Sequence, residues 1–225
     1  MKEASIKNGK KLLWCDQCKV NYCFEGYKNG KPSYCPAVAN PDIIESVSEK
    51  YLKPEVAKFH LAISRLQDRQ KTSGIEMPRL QEAIEYAKEL NVKKVGLAVC
   101  NTMLWQATEF AKLMRLSGLE PCTVNCLAGG MSQEETGIPK EWTVAPCNPV
   151  LQAEILNKEG TEFNFIYGLC VGHDTLFIQH SKAPVSVVVV KDRVTVNNPG
   201  AVLFSYYHRN RLWAEYGGEP DNSRI

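Results

Sequence analysis

Lys94-Val-Gly-Leu-Ala-Val-Cys100, then Asn101-Thr-Met-Leu-Trp-Gln-Ala-Thr-Glu-Phe-Ala-Lys-Leu-Met-Arg-Leu-Ser-Gly118, then Leu119-Glu-Pro-Cys-Thr-Val-Asn-Cys126 is the stretch on which the fold turns. Val95 to Val99 is a short continuous apolar run, the pattern of a strand buried on both faces. Met103 to Leu116 has helical length and composition, and Gly118 stands where a left-handed C-terminal cap belongs. Pro121 to Asn125 supplies the next strand. Strand, helix and strand in that order form a βαβ unit, whose right-handed crossover makes the two strands parallel.

The alternation continues toward the C-terminus. Val150 to Asn157 reads as a helix, Phe163 to Leu169 as a strand, His173 to His180 as a helix, and Val185 to Val190 as the clearest strand in the chain. Ala201 to Phe204 reads as a last strand, with a terminal helix over 206–225. Toward the N-terminus, Pro54 suits a helix start, and Val56, Phe59, His60, Ile63 and Leu66 form one stripe. A second helix begins near Pro78 and turns Leu80, Ala83, Ile84, Ala87 and Leu90 inward. Residues 35–42, with two prolines and an Asn-Pro step, read as a connector. The expected fold is α/β: a mainly parallel, Rossmann-like sheet with helices on both faces, preceded by a small cysteine-rich metal module. The expected organisation is a module over 1–40 and an α/β domain over 41–225, the latter divided into a helical lead-in at 50–90, a sheet at 91–205 and the terminal helix.

With 225 residues, 44% of them hydrophobic, the chain is long enough to bury a core. No run of about 18 apolar residues appears, and Met1-Lys-Glu-Ala-Ser5 lacks a signal-peptide pattern, so the expected location is cytoplasmic and the membrane is excluded as a partner. In a reducing compartment nine cysteines point to metal ligands or redox thiols before disulfides. A net charge of +2 argues against nucleic acid as the partner. The seven lysines between Met1 and Pro36 would instead offset the negative charge of a four-thiolate metal site.

Two groups of cysteines follow. Cys15, Cys18, Cys23 and Cys35 have the spacing C-x2-C-x4-C-x11-C, whose first turn points two thiolates at one ion. Zinc or an iron–sulfur cluster would satisfy that set. Cys100, Cys126, Cys147 and Cys170 each lie where a strand or loop hands over to the next element. In a parallel sheet those positions share the carboxyl edge, where α/β proteins bind ligands. Four thiolates there would bind an iron–sulfur cluster or another soft metal, while a subset would serve as nucleophile or redox pair. Cysteine is also among the most buried residue types, so each taken alone reads first as a small core residue, and Cys122 is assigned that way. The candidates for catalysis are Cys147, Cys170, His173, Lys191 and Arg193, with a small molecule or a redox partner as the expected counterpart. Asn101, Asn148, Asn197 and Asn198 are candidate rim amides. The alternative is a non-catalytic metal carrier or thiol redox sensor; a closed site with all four positions filled would favour a carrier or electron transfer, and an open position catalysis.

Several blocks resemble one family. They are Cys147-Asn-Pro-Val-Leu-Gln-Ala-Glu-Ile-Leu-Asn157, Gly168-Leu-Cys-Val-Gly-His-Asp174, Ser181-Lys-Ala-Pro184, Val190-Lys-Asp-Arg-Val194 and Asn198-Pro199, with Arg79 to Lys88 and Lys94 to Cys100. The chain is similar to an uncharacterised prokaryotic domain-of-unknown-function family described as metal-binding. The resemblance implies metal binding by Cys15, Cys18, Cys23 and Cys35, with zinc suggested, and leaves catalysis open. It runs to about Phe204. The chain departs from the family at Asn101-Thr102, where members often carry a glycine-containing turn.

Overall fold

The computed structural model describes residues 14–220 and, for the backbone alone, residues 6–7 and 10–11. The chain divides into two compact units, residues 1–64 and 65–225.

In the first unit, β1 (Ile6–Lys7) pairs antiparallel with β2 (Lys10–Lys11). Two short 3-10 turns follow, Cys15–Gln17 and Tyr22–Glu25, and then α1 (Pro41–Leu52). The connector expected over 35–42 is therefore shorter than its prolines suggested. Pro41 occupies the first helical position, where its fixed φ suits the helix and its missing N–H costs nothing. The next helix, α2 (Pro54–Ser73), runs across the division between the units. None of residues 14–61 is buried.

The second unit continues with α3 (Arg79–Glu89), β3 (Lys94–Val99), α4 (Leu104–Leu116) and β4 (Glu120–Asn125). It then carries α5 (Pro149–Glu159), β5 (Phe163–Tyr167), α6 (His173–His180), β6 (Val185–Val189) and α7 (Tyr206–Glu215). The fold is α/β, with a four-stranded, all-parallel sheet in the order β4-β3-β5-β6. Ala201–Phe204 is not a strand: Pro199–Leu203 forms a 3-10 turn, opened by Pro199 at its first position and closed by the Ala201 N–H on the Asn198 carbonyl at 2.9 Å. The terminal helix stops at Glu215 rather than running on, and residues 221–225 lie outside the described residues.

Strand alternation divides the core into two layers. Val95, Leu97 and Val99 share one face with Phe163, Phe165 and Tyr167, all buried. Phe110 of α4 meets Phe165 and Tyr167 there, at ring-centroid distances of 6.4 and 6.0 Å, and Tyr86 of α3 meets Phe163 at 5.8 Å. On the other face Ala98, Val124 and Ile166 pack with Ala153 and Leu156 of α5 and Phe177 of α6. Helices thus cover both faces. Each large apolar side chain so buried contributes about 1.5–3 kcal/mol.

One polar network crosses the second layer. Asn164, fully buried in β5, accepts from the Thr161 hydroxyl and donates to the Ser181 hydroxyl, each at 2.8 Å, tying β5 to the segment that enters β6. Gly96 in the adjacent strand makes room for it, since a Cβ there would lie 2.0 Å from Asn164 Oδ1 and 2.7 Å from Leu156 Cδ1. Among the described residues no helix is long and apolar enough to cross a membrane.

Candidate functional site

In the first unit the chain wraps its cysteines around one cavity. Cys15 opens a 3-10 turn closed by the Cys18 N–H on the Cys15 carbonyl at 3.2 Å, so the C-x2-C spacing becomes a tight knuckle. Cys23 lies in the second turn, which Asn21 enters and Gly26 leaves in the left-handed region, at φ 46° and 64°. All four of Cys15, Cys18, Cys23 and Cys35 line a cavity of about 370 Å³ together with Tyr22, Tyr27 and Tyr34.

The surroundings favour thiolates at two of the four positions. Backbone N–H groups of Asn21 and Val20 lower the Cys18 thiol below its ordinary value. Burial opposes ionisation of Cys35, but the Val38 and Ala37 N–H groups and the Tyr27 hydroxyl outweigh it, and the net direction is also down. Tyr27 lies 3.6 Å from the Cys35 sulfur, and this contact holds its phenol proton, pushing it up to about 12. By donor type this set fits a thiophilic metal. Among the described residues, however, no three His, Cys, Asp or Glu side chains stand close enough together to hold an ion as they are.

The second group lies at the carboxyl edge of the sheet. Cys100 directly follows β3, Cys126 directly follows β4, Cys170 comes three residues after β5, and Cys147 lies two residues before α5. Two contacts organise them. The Cys147 sulfur donates to the Cys126 sulfur at 3.7 Å, and Lys191, two residues beyond β6, places Nζ 2.8 Å from the Cys100 sulfur. The Asn101 N–H adds a hydrogen bond to the Cys126 sulfur at 3.2 Å. Cys170 is half-buried and close enough for its charge to act on Cys147.

Electrostatics separate the three grouped thiols. Burial pushes Cys100 up, but the Lys191 ammonium and the Thr102 hydroxyl and N–H outweigh it, leaving the thiol below its ordinary value. Burial pushes Cys126 up to about 12, and the neighbouring sulfurs of Cys147 and Cys100 add to the shift against the Asn101 N–H. Cys147 is raised as well, chiefly by burial. Cys100 is therefore the most readily ionised of the three.

The remaining candidates are more peripheral. His173 is half-buried at the start of α6, where its N–H donates to the Cys170 carbonyl at 3.0 Å, and Arg193 is exposed. Cys122, assigned to the core, is half-buried against the α5 layer. Asn148 caps α5 by accepting from the Leu151 N–H, while Asn125 donates to the Asn101 side chain at 2.8 Å. Two participants escaped the sequence reading. Thr102 adjoins both Cys100 and Lys191. Gln152 is fully buried and donates to the carbonyls of Val99 and Val124, at the ends of β3 and β4, while its Oε1 has no hydrogen-bond partner. The signal for Gln152 is a polar residue that shares the buried side of α5 with Pro149, Ala153 and Leu156.

Residues 35–188 match the family described as "Protein of unknown function (DUF1847)". The chain is also 34% identical over 201 residues, 88% of its own length and 97% of the relative's, to an uncharacterized protein of Methanocaldococcus jannaschii. The family match contains Cys35 and every cysteine of the sheet edge, and begins after Cys15, Cys18 and Cys23.

Proposed function

The chain belongs to the DUF1847 family of proteins of unknown function, and from that premise we propose that it is a metal-binding thiol protein in which Cys15, Cys18, Cys23 and Cys35 hold one zinc ion. The observation that supports this reading is that all four thiols line a single cavity. A closed four-thiolate zinc site supplies structure rather than chemistry. The need for it is local: with none of residues 14–61 buried, the segment has no apolar core of its own, and pieces this small are held by a staple. The lowered thiols of Cys18 and Cys35 give up their protons readily to an incoming cation. The test is metal analysis with limited proteolysis. Wild-type protein is expected to carry about one zinc per chain, and Cys18→Ser to lose it and become cleavable before about Pro41. Unchanged zinc in Cys18→Ser would overturn the assignment.

For the sheet edge we read a redox-active thiol site in preference to an iron–sulfur centre. The contact between Lys191 and Cys100 favours it, because an ammonium bound to a thiolate competes with a metal for the same sulfur lone pairs. It instead stabilises a free thiolate. Acid-labile sulfide bound to the protein and lost in Cys147→Ser would contradict this reading.

A further inference from the structure

Cys126 and Cys147 are 21 positions apart in sequence, yet the chain on both sides of their sulfur contact is anchored. The Cys126 N–H donates to the Val99 carbonyl at 2.8 Å, and the Asn148 N–H donates to the Cys126 carbonyl at 2.7 Å. The Cys126 sulfur is oriented by the Asn101 N–H, and Cys147 is fixed against the capped start of α5. A disulfide bond needs its sulfurs at about 2.05 Å, so the pair must close from 3.7 Å.

We propose that Cys126 and Cys147 form a reversible dithiol–disulfide couple whose substrates are low-molecular-weight disulfides. This rests on the thiol reading of the sheet edge. Cys147 is the entry thiol, being half-exposed where Cys126 is 2% and Cys100 5% exposed. As a thiolate it attacks one sulfur of the disulfide RSSR, forming a Cys147–SR bond and releasing RS⁻. The Cys126 sulfur then attacks the Cys147 sulfur, breaking the Cys147–SR bond and expelling the second RS⁻. The two thiol protons leave with the two RSH molecules. Two electrons pass from the protein to RSSR. Cys100 stays out of the bond because Lys191 and Thr102 hold its sulfur. The product bond closes residues 127–146 into a covalent loop.

The experiment treats the full-length, metal-loaded protein with oxidised glutathione, blocks the remaining thiols by alkylation and maps the peptides by mass. A Cys126–Cys147 linkage with Cys100 alkylated is expected. Cys126→Ser should accumulate glutathione on Cys147, because the resolving sulfur is gone. Cys100→Ser should still yield the Cys126–Cys147 linkage, because Lys191 and Thr102 hold the Cys100 sulfur outside the bond that forms. Free Cys126 and Cys147 after oxidation, or a Cys100–Cys126 linkage, would overturn the couple. Iron and sulfide bound at the edge of the untreated protein would instead overturn the thiol reading beneath it, so the two failures are distinct.

Discussion

Cys100 and Cys126 end neighbouring strands, yet their surroundings drive their thiols in opposite directions. For Cys100 the ammonium of Lys191 outweighs burial, whereas for Cys126 burial prevails. Lys191→Met should therefore raise the Cys100 thiol and slow its alkylation by iodoacetamide at neutral pH several-fold. An unchanged pH profile of alkylation would remove Lys191 from this role. Cys126 is protonated in the fold up to about 12, above the ordinary 9.0 of a free thiol. A group raised in the folded state contributes stability below its unfolded value and loses it as pH rises through the folded one. The unfolding midpoint should thus fall between about pH 9 and 12, and Cys126→Ser should flatten part of that slope, as measured by denaturant unfolding at stepped pH. Little of this pairing was legible in the sequence. Lys191 and the thiol positions were marked, but Cys100 and Lys191 are 91 positions apart and meet only because β3, β5 and β6 lie side by side.

At the scale of elements, the strands were legible because buried parallel strands are written as apolar runs, and β3, β5 and β6 each are. α1 was hidden by Asn40-Pro41, a step that breaks a helix in its interior and begins one at its first position. Ala201 to Phe204 misled in the opposite sense, since four apolar residues suit a short strand and a 3-10 turn equally. Packing across elements was not legible either. Gly96 reads as one more small residue until Asn164 is seen to fill the space beside it. Gly96→Ala should force Asn164 and Leu156 aside and destabilise the domain by about 1–3 kcal/mol in chemical denaturation. Leu156→Ala, which leaves a cavity under the α5 layer, should cost about 2–5 kcal/mol. A loss below about 1 kcal/mol in Leu156→Ala would show that the layer is not packed as described.

At the scale of the whole chain, two different stabilities are expected. The unit over 65–225 has a two-layer core around its sheet, whereas none of residues 14–61 is buried and four of their cysteines line one cavity. Removal of zinc by a chelator should consequently release the N-terminal segment to proteases while the circular dichroism of the α/β unit persists. Global unfolding on chelation would show that the two are not separate in stability. The central claim is most directly tested by metal and acid-labile sulfide analysis, with a visible spectrum, of protein purified without oxygen. The account predicts about one zinc per chain, no sulfide and no colour. Iron and sulfide in near-equal amounts, or no metal at all, would contradict it.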